Sequence, residues 1–278
     1  LMAIGTPTVL QSNWISATQT NYTVPSSAPA SGSLLTLFVE SGRTDAATEV
    51  PSSVTGMGLT WNLVASQQTP LGRMYGALYK AVSDGTSGAL TVTYANAMQQ
   101  MHYRLVEWPG AADVIQSGVF TGVSTCAVTL ASAITAGSAT AGFFGVNSSS
   151  QNPTNGSGYS DLGTFVAGST PAASTDAEYR LDGQQLVDFT PAGTSQNLLI
   201  AVEISEATGP TLDPPTSITA TAISSDTIRL AWTPDDIAVG VDIERDSVVI
   251  ATNVSGTTYD DTGRSPSTSY DYRLRSVG

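Results

Sequence analysis

Apolar and polar residues alternate with a period of two along much of this 278-residue chain. GLTWNLV sets Leu59, Trp61 and Leu63 against Thr60 and Asn62, and ALTVTYA sets Leu90, Val92 and Tyr94 against two threonines. That period belongs to strands that bury one face and wet the other, as in antiparallel sandwiches. Three stretches depart from it. LLTLFVES (34–41), HYRLVEWP (102–109) and LLIAVEIS (198–205) are apolar on both faces, and each closes on Val-Glu. They read as central strands of a two-sheet structure, the glutamate marking where each strand emerges to solvent. No segment carries an amphipathic helical period over three turns, so the expected class is all-β.

ATGPTLDPPTS (207–217) divides the chain, with three prolines and a glycine and no apolar period. Proline lacks an amide donor and pushes its neighbour towards extended backbone, so the segment reads as a linker. The expected organisation is a domain at 1–206, a linker at 207–213 and a second domain at 214–278. In the second, TIRLAWT places Ile228, Leu230 and Trp232 on one face, and VDIER turns Val241 and Ile243 inward. The closing SPSTSYDYRLRSVG points Tyr270, Tyr272 and Leu274 one way and Asp271, Arg273 and Arg275 the other.

These residues carry a resemblance. PPTSITATAISSDTIRLAWTPDD resembles strands A and B of a fibronectin type III domain, with Trp232 as its core tryptophan. SPSTSYDYRLRSV resembles that family's strand F, with Tyr270 at the tyrosine-corner position. The resemblance implies a phenol at the core edge whose hydroxyl bonds a backbone group upstream. The family continues into a strand G, which this sequence lacks. Strand F is therefore expected to present an open edge, either because the chain is a fragment or because another subunit supplies the strand.

In the first domain, GSLLTLFVE, GLTWNLV, GRMYGALYKAV, GALTVTY and YRLVEWPGA together resemble a jelly-roll-like β-sandwich module of bacteriophage virion proteins. Minor tail proteins, other exposed virion components and some bacterial surface proteins carry it, often followed by fibronectin type III repeats. The resemblance implies scaffold or adhesion duties and supplies no catalytic residues.

Charge narrows the partners. The formal net charge is −13, with Lys80 as the single lysine. Such a surface repels phosphate backbones and anionic lipid, so neither nucleic acid nor membrane is an expected partner. No apolar run is long enough to span a bilayer as a helix. The start, LMAIGTPTVLQSNW, has no basic segment followed by a long apolar stretch, and Leu1 before Met2 points to a non-standard start codon or a trimmed fragment.

Candidate chemistry is sparse. Cys126 is the one cysteine and reads as a small buried thiol. His102 is the one histidine and reads as structural; without a G-x-S-x-G turn a Ser-His-Asp triad has no scaffold. A Cys/His zinc site lacks ligands, and no catalytic, cofactor or metal residue is assigned. Asp235–Asp236 and Asp260–Asp261 sit in turns and could offer oxygens to Ca²⁺, although acids there usually face water. Glu40, Glu107 and Glu203 end analogous strands, and two of them could converge at glycosidase separation. Trp61 and Trp232 belong in the core. Trp108, beside Pro109-Gly110, and Tyr159 are the candidate ligand contacts for a sugar ring. Tyr159 lies in GVNSSSQNPTNGSGYSDLG (145–163), which reads as a long exposed loop where a receptor or neighbouring subunit would touch.

The expected function is that of a structural protein of a tailed bacteriophage virion, either a minor tail or fibre subunit or a capsid decoration. It would lie on the particle surface and contact other virion proteins through homo-oligomer or lattice contacts. The alternatives are a carbohydrate-binding adhesin module taking a host-surface glycan at an extracellular surface, and a glycan-active enzyme.

Overall fold

A computed structural model describes residues 3–123, 125–148, 153–167, 171–191, 193–208 and 212–277. The Leu1-Met2 start, positions 149–152 of the Ser/Gly/Asn-rich interval and positions 209–211 of the linker lie outside the described residues. The chain divides into two compact units, Leu1–Thr208 and Gly209–Gly278.

The large unit begins with β1 (Thr8–Ile15), β2 (Gln19–Ser27), β3 (Leu34–Gly42), β4 (Ser53–Gly56), β5 (Asn62–Gln68), β6 (Met74–Val82), β7 (Gly88–Met98) and β8 (Gln100–Trp108). These form a five-stranded sheet, β1-β8-β3-β6-β5, and a three-stranded sheet, β2-β7-β4. Next come β9 (Ala111–Gly122), β10 (Cys126–Thr129), β11 (Ala139–Val146), β12 (Thr154–Asn155), β13 (Ser160–Asp161), β14 (Phe165–Ala167), β15 (Ala173–Arg180), β16 (Leu186–Thr190) and β17 (Asn197–Glu206). Their sheets are β9-β17-β11-β15-β13, with β14 also on β15, and β10-β16-β12.

With β14 set aside as an addition, the two halves have the same strand order. Counted from its own first strand, each reads 1-8-3-6-5 in one sheet and 2-7-4 in the other. That is the order of a jelly roll, with the fifth strand hairpinned onto the sixth. The large unit is therefore two jelly rolls in tandem, joined by Pro109 and Gly110 alone. Gly110 has φ 72°, and a Cβ there would lie 2.5 Å from the Ala3 carbonyl oxygen, so the connector requires glycine.

Correspondence extends to single residues. Leu34 pairs with Trp108 and Leu35 with Glu107 in the first half, as Ala139 pairs with Ile204 and Thr140 with Glu203 in the second. The turn before each third strand is the same as well. Ala30-Ser31-Gly32-Ser33 and Thr135-Ala136-Gly137-Ser138 place a glycine at φ 81° and 84°. Ser33 N–H reaches Ala30 C=O at 3.4 Å, and Ser138 N–H reaches Thr135 C=O at 3.0 Å.

The class is all-β and sandwich-built, as the alternation predicts, but residues 1–206 hold four sheets where one two-sheet sandwich is expected. The cause lies in the strands that are apolar on both faces. Leu34 and Phe38 of β3 enter a core shared with Phe143, Leu198, Ile200 and Val202 of the second half. Leu35, Leu37 and Val39 enter another, with Tyr22, Leu90 and Val92 of the outer sheet. In the second half, Phe144, Leu199 and Ala201 face Val128, Val187 and Phe189. The two large sheets thus pack face to face and each is covered again on its far side, giving four layers. A strand buried on both faces has no polar side to show.

The small unit contains β18 (Thr216–Ala222), β19 (Thr227–Thr233), β20 (Gly240–Arg245), β21 (Val248–Val254), β22 (Thr258–Thr262) and β23 (Tyr272–Val277). They form two sheets, β18-β19-β22 and β21-β20-β23, the order of the first six strands of a fibronectin type III domain. Leu230, Trp232, Val241, Ile243 and Leu274 make its buried core. The Tyr270 hydroxyl accepts the N–H of Ser265 at 2.9 Å, the corner bond expected from the sequence. The guanidiniums of Arg245 and Arg264 lie 5.9 and 5.5 Å from its ring centroid.

Candidate functional site

The three strand-end glutamates do not converge. Glu107 and Glu203 occupy equivalent places in the two halves, on the faces turned to the outer sheets. Glu107 Oε1 accepts the Ala30 N–H at 2.7 Å, and Glu203 Oε1 accepts the Thr135 N–H at 2.7 Å, while its Oε2 accepts from the Gln116 side chain. Each carboxylate ties down the turn ahead of the third strand. Glu40 lies on the opposite face of its sheet, between the two jelly rolls, and is fully buried. The expectation that each glutamate emerges to solvent fails for Glu40, covered by the second jelly roll, and for Glu203, covered by the Gln116 side chain and the turn at Thr135.

Neither aromatic candidate forms a sugar platform. Trp108 is 0% exposed, with its indole N–H donated to Thr36 Oγ1 at 2.9 Å and its ring edge-on to Tyr179. Of the two readings open for Trp108, partial exposure or a hydrophobic plug beneath the Pro109-Gly110 turn, the structure has the plug. Tyr159 is half-buried against Val128, Phe144 and Phe189. Its hydroxyl donates to Leu186 C=O at 3.0 Å and lies 3.0 Å from Thr140 Oγ1. Burial pushes its pKa up to about 12.

The interval 145–163 is more ordered than a plain loop. It contributes β12, paired with β16, and β13, paired with β15. Between them the Gly156 N–H donates to buried Glu178 at 2.8 Å. Backbone bonding anchored it where composition indicated only solvent.

Cys126 and His102 lie in different layers. Cys126 is buried with its thiol donated to Asn197 Oδ1 at 2.9 Å, and burial pushes its pKa well up. Asp260 and Asp261, expected in a turn, lie in β22, where pairing with β19 extends the backbone, and both are engaged. Asp260 takes a bidentate pair from Arg229 at 2.7 Å. Asp261 accepts from Arg245 at 2.8 and 2.9 Å and from the Tyr272 hydroxyl at 2.6 Å. Asp235 accepts the Asp213 N–H at 3.0 Å.

What the structure does assemble is a buried ionisable cluster between the two jelly rolls. Its members are Glu40 on β3, Gln100, His102 and Arg104 on β8, and Thr175 on β15; the next residue, Asp176, pairs with Phe144 and turns to the outer-sheet side, where it still acts electrostatically on Arg104. His102 Nδ1 stands 3.6 Å from Glu40 Oε2 and 3.5 Å from Thr175 Oγ1. Arg104 donates one Nη2 hydrogen to the Gly163 carbonyl. Asp176 accepts from Thr164 Oγ1 at 2.9 Å and from the Ala177 N–H at 2.7 Å. Both Glu40 oxygens, Gln100 Nε2, His102 Nε2, and Nε and Nη1 of Arg104 are buried without a hydrogen-bond partner among the described residues. Such atoms are costly and call for a reason beyond packing. Burial raises Glu40 to about 8 and lowers His102 to about 3, with Arg104 adding to the latter. The sequence reading singled out Glu40 and His102 separately and missed Arg104, although a charge inside HYRLVEWP, apolar on both faces, was a visible sign of a buried ion.

A second feature is a rim of the small unit. β23 pairs with β20 alone. Val239 N–H reaches Val277 C=O and Asp246 N–H reaches Asp271 C=O, each at 2.8 Å. With strand alternation, this turns the backbone of Tyr272, Leu274 and Ser276 to the other side, where no strand pairs with them among the described residues.

No family model matches the chain, and no curated protein does. Among solved structures, a crystal structure of titin domains is 12% identical, with 99% of this chain and 92% of that chain covered and a TM-score of 0.21. At that score the likeness carries no argument.

Proposed function

We propose that the chain is a non-enzymatic structural component of a tailed bacteriophage particle, a minor tail, fibre or head-decoration subunit exposed on the virion surface. The supporting observation is the four-layer stack. Both large sheets are packed on each face, so their central strands β3, β8, β11 and β17 are fixed from two sides. That build suits a block that transmits load and presents loops and edges. The acidic surface keeps such a block soluble before assembly. Carbohydrate binding at Trp108 and Tyr159 has lost its platform, and the glutamates offered for glycan hydrolysis stand on different faces.

The test is a density map of the phage particle that carries the chain. The stack fitted at the tail, at a few copies, or over the head lattice, at many, supports the reading and separates its two forms. Its absence from purified particles, or glycan turnover by the isolated chain, overturns it.

A further inference from the structure

The layer shared by the two jelly rolls has two edges that differ chemically. At one edge β1 and β8 meet β14 and β15; at the other β5 and β6 meet β9 and β17. Register identifies equivalent positions in the two halves. Glu40 paired with His102 corresponds to Gly145 paired with Leu198, Arg104 to Ile200, and Gly76 to Thr175. At these positions the second edge is apolar where the first is ionisable; its charges are Lys80 of β6 and Asp113 of β9, paired with each other at the partly exposed rim. Leu198 fills the space over Gly76, where a Cβ would lie 2.7 Å from its Cδ1. Packing two jelly rolls face to face does not call for buried ionisable groups without partners, since the second edge closes with apolar contacts and a partly exposed Lys80–Asp113 pair.

At the ionisable edge, Glu40 meets one titratable neighbour at close range, His102. The rings of Trp14 on β1 and Phe165 on β14 stand edge-on to that imidazole, 6.1 and 5.5 Å between centroids. Neither β1 nor β14 brings a charge there. β8 brings Arg104, whose acidic neighbours are Asp176 on β15 and Asp161 on β13. β7 brings the Tyr94 phenol from the adjoining layer. Glu178, also on β15, is held by the Gly156 N–H.

We propose that the Glu40–His102 pair is a one-sided pH latch: while uncharged it lets β8 close on β14 and β15, and ionisation of Glu40 loosens that edge while the β5–β9 edge stays shut. The sign follows from proton counting. The closed edge holds the Glu40 proton up to about pH 8, and an opened edge releases it near the ordinary 4.5. Rising pH across that interval favours the open form by up to about tenfold per unit. His102 works the other way only below its ordinary 6.5, because the closed form refuses a proton the open form accepts. Asp176, raised to about 6, stops contributing above that pH. Between pH 6.5 and 8 two carboxyls on these strands lose protons: Glu40, and Glu178 of β15, which burial also raises to about 8 although it faces the outer sheet; β14, beside the Glu40–His102 pair, reports the Glu40 share.

Hydrogen–deuterium exchange on the full chain at pH 6.5 and pH 8, corrected for intrinsic exchange rates, tests the latch. Amides of β14 should lose protection by up to about fifteenfold over that interval, while those of β5 and β9 keep theirs. In Glu40→Gln the loss should vanish. A parallel loss at both edges, no loss at either, or a loss that persists in Glu40→Gln overturns the proposal. If that variant fails to fold, Glu178→Gln decides it: the β14 loss should persist there, and its disappearance overturns the proposal.

Discussion

Glu107 and Glu203 hold equivalent stations in the two jelly rolls, each receiving through Oε1 the backbone N–H that opens the turn before the third strand, both at 2.7 Å. The Val-Glu ending that recurs in the sequence is thus one structural device used twice. A carboxylate accepting a backbone N–H makes a charge-assisted bond, stronger than a neutral one. Glu107→Ala and Glu203→Ala should each destabilise the chain by about 1.5–3 kcal/mol in chemical denaturation. Effects under about 0.5 kcal/mol would dismiss the device. Burial pushes Glu203 up, but bonds from Gln116 and Thr135 outweigh it and hold its pKa below the ordinary 4.5. The Glu203 contribution should therefore be complete above pH 4.5 and decline as pH falls through the lower folded value.

Trp108 should behave as a core residue and not as a ligand contact. Trp108→Ala should cost about 3–5 kcal/mol of stability. Glycan-array binding by the folded chain should not change in Trp108→Phe, which retains most of the ring volume. Selective loss of glycan binding in that variant, with stability intact, would restore the platform reading.

Gly110 should tolerate no side chain. Its φ of 72° is the left-handed region, and the Ala3 carbonyl oxygen blocks a Cβ. Gly110→Ala should lower stability by about 1–3 kcal/mol, read as a shift in the thermal midpoint. Gly32→Ala has the same conformational cost with nothing within 4 Å of the added Cβ, so it should be the milder substitution. The reverse order would show that the connector is not pinned as described.

Asp261 gathers the small unit's arginines and a phenol, so its removal leaves Arg245 and Tyr272 without their acceptor. Asp261→Asn should cost about 1–3 kcal/mol, visible as faster amide exchange at Leu230 and Ile243. Burial raises the Asp261 pKa, and the Tyr272 and Arg245 bonds more than reverse this, leaving it below the ordinary 3.8. Its contribution should be full above pH 3.8 and fade as pH falls through the folded value. Unchanged exchange in Asp261→Asn would rule out this role.

Much of this architecture was readable from patterning. Period-two alternation identified β7 and β19 and their inward residues, because a strand wet on one face writes its geometry into the sequence. Stretches apolar on both faces identified β3, β8 and β17 as central strands. The duplication escaped notice because only the turn glycine and serine and the Val-Glu ending are shared letter for letter. The other equivalences, such as Leu34 with Ala139 and Trp108 with Ile204, preserve burial and not identity. The polar cluster escaped notice for a related reason. Arg104 and Thr175 come from distant segments, and only the stacking of the two large sheets makes them neighbours of Glu40 and His102.

The two-residue join at Pro109-Gly110 has a consequence for what the shared layer can contain. Two identical subunits meeting through this face would be bound by symmetry: every acid set into the contact on one copy would appear a second time on the other. Writing both partners into one polypeptide lifts that constraint, so each side of the seam can be composed independently. A lone carboxyl can then be buried once, at one margin, without its double.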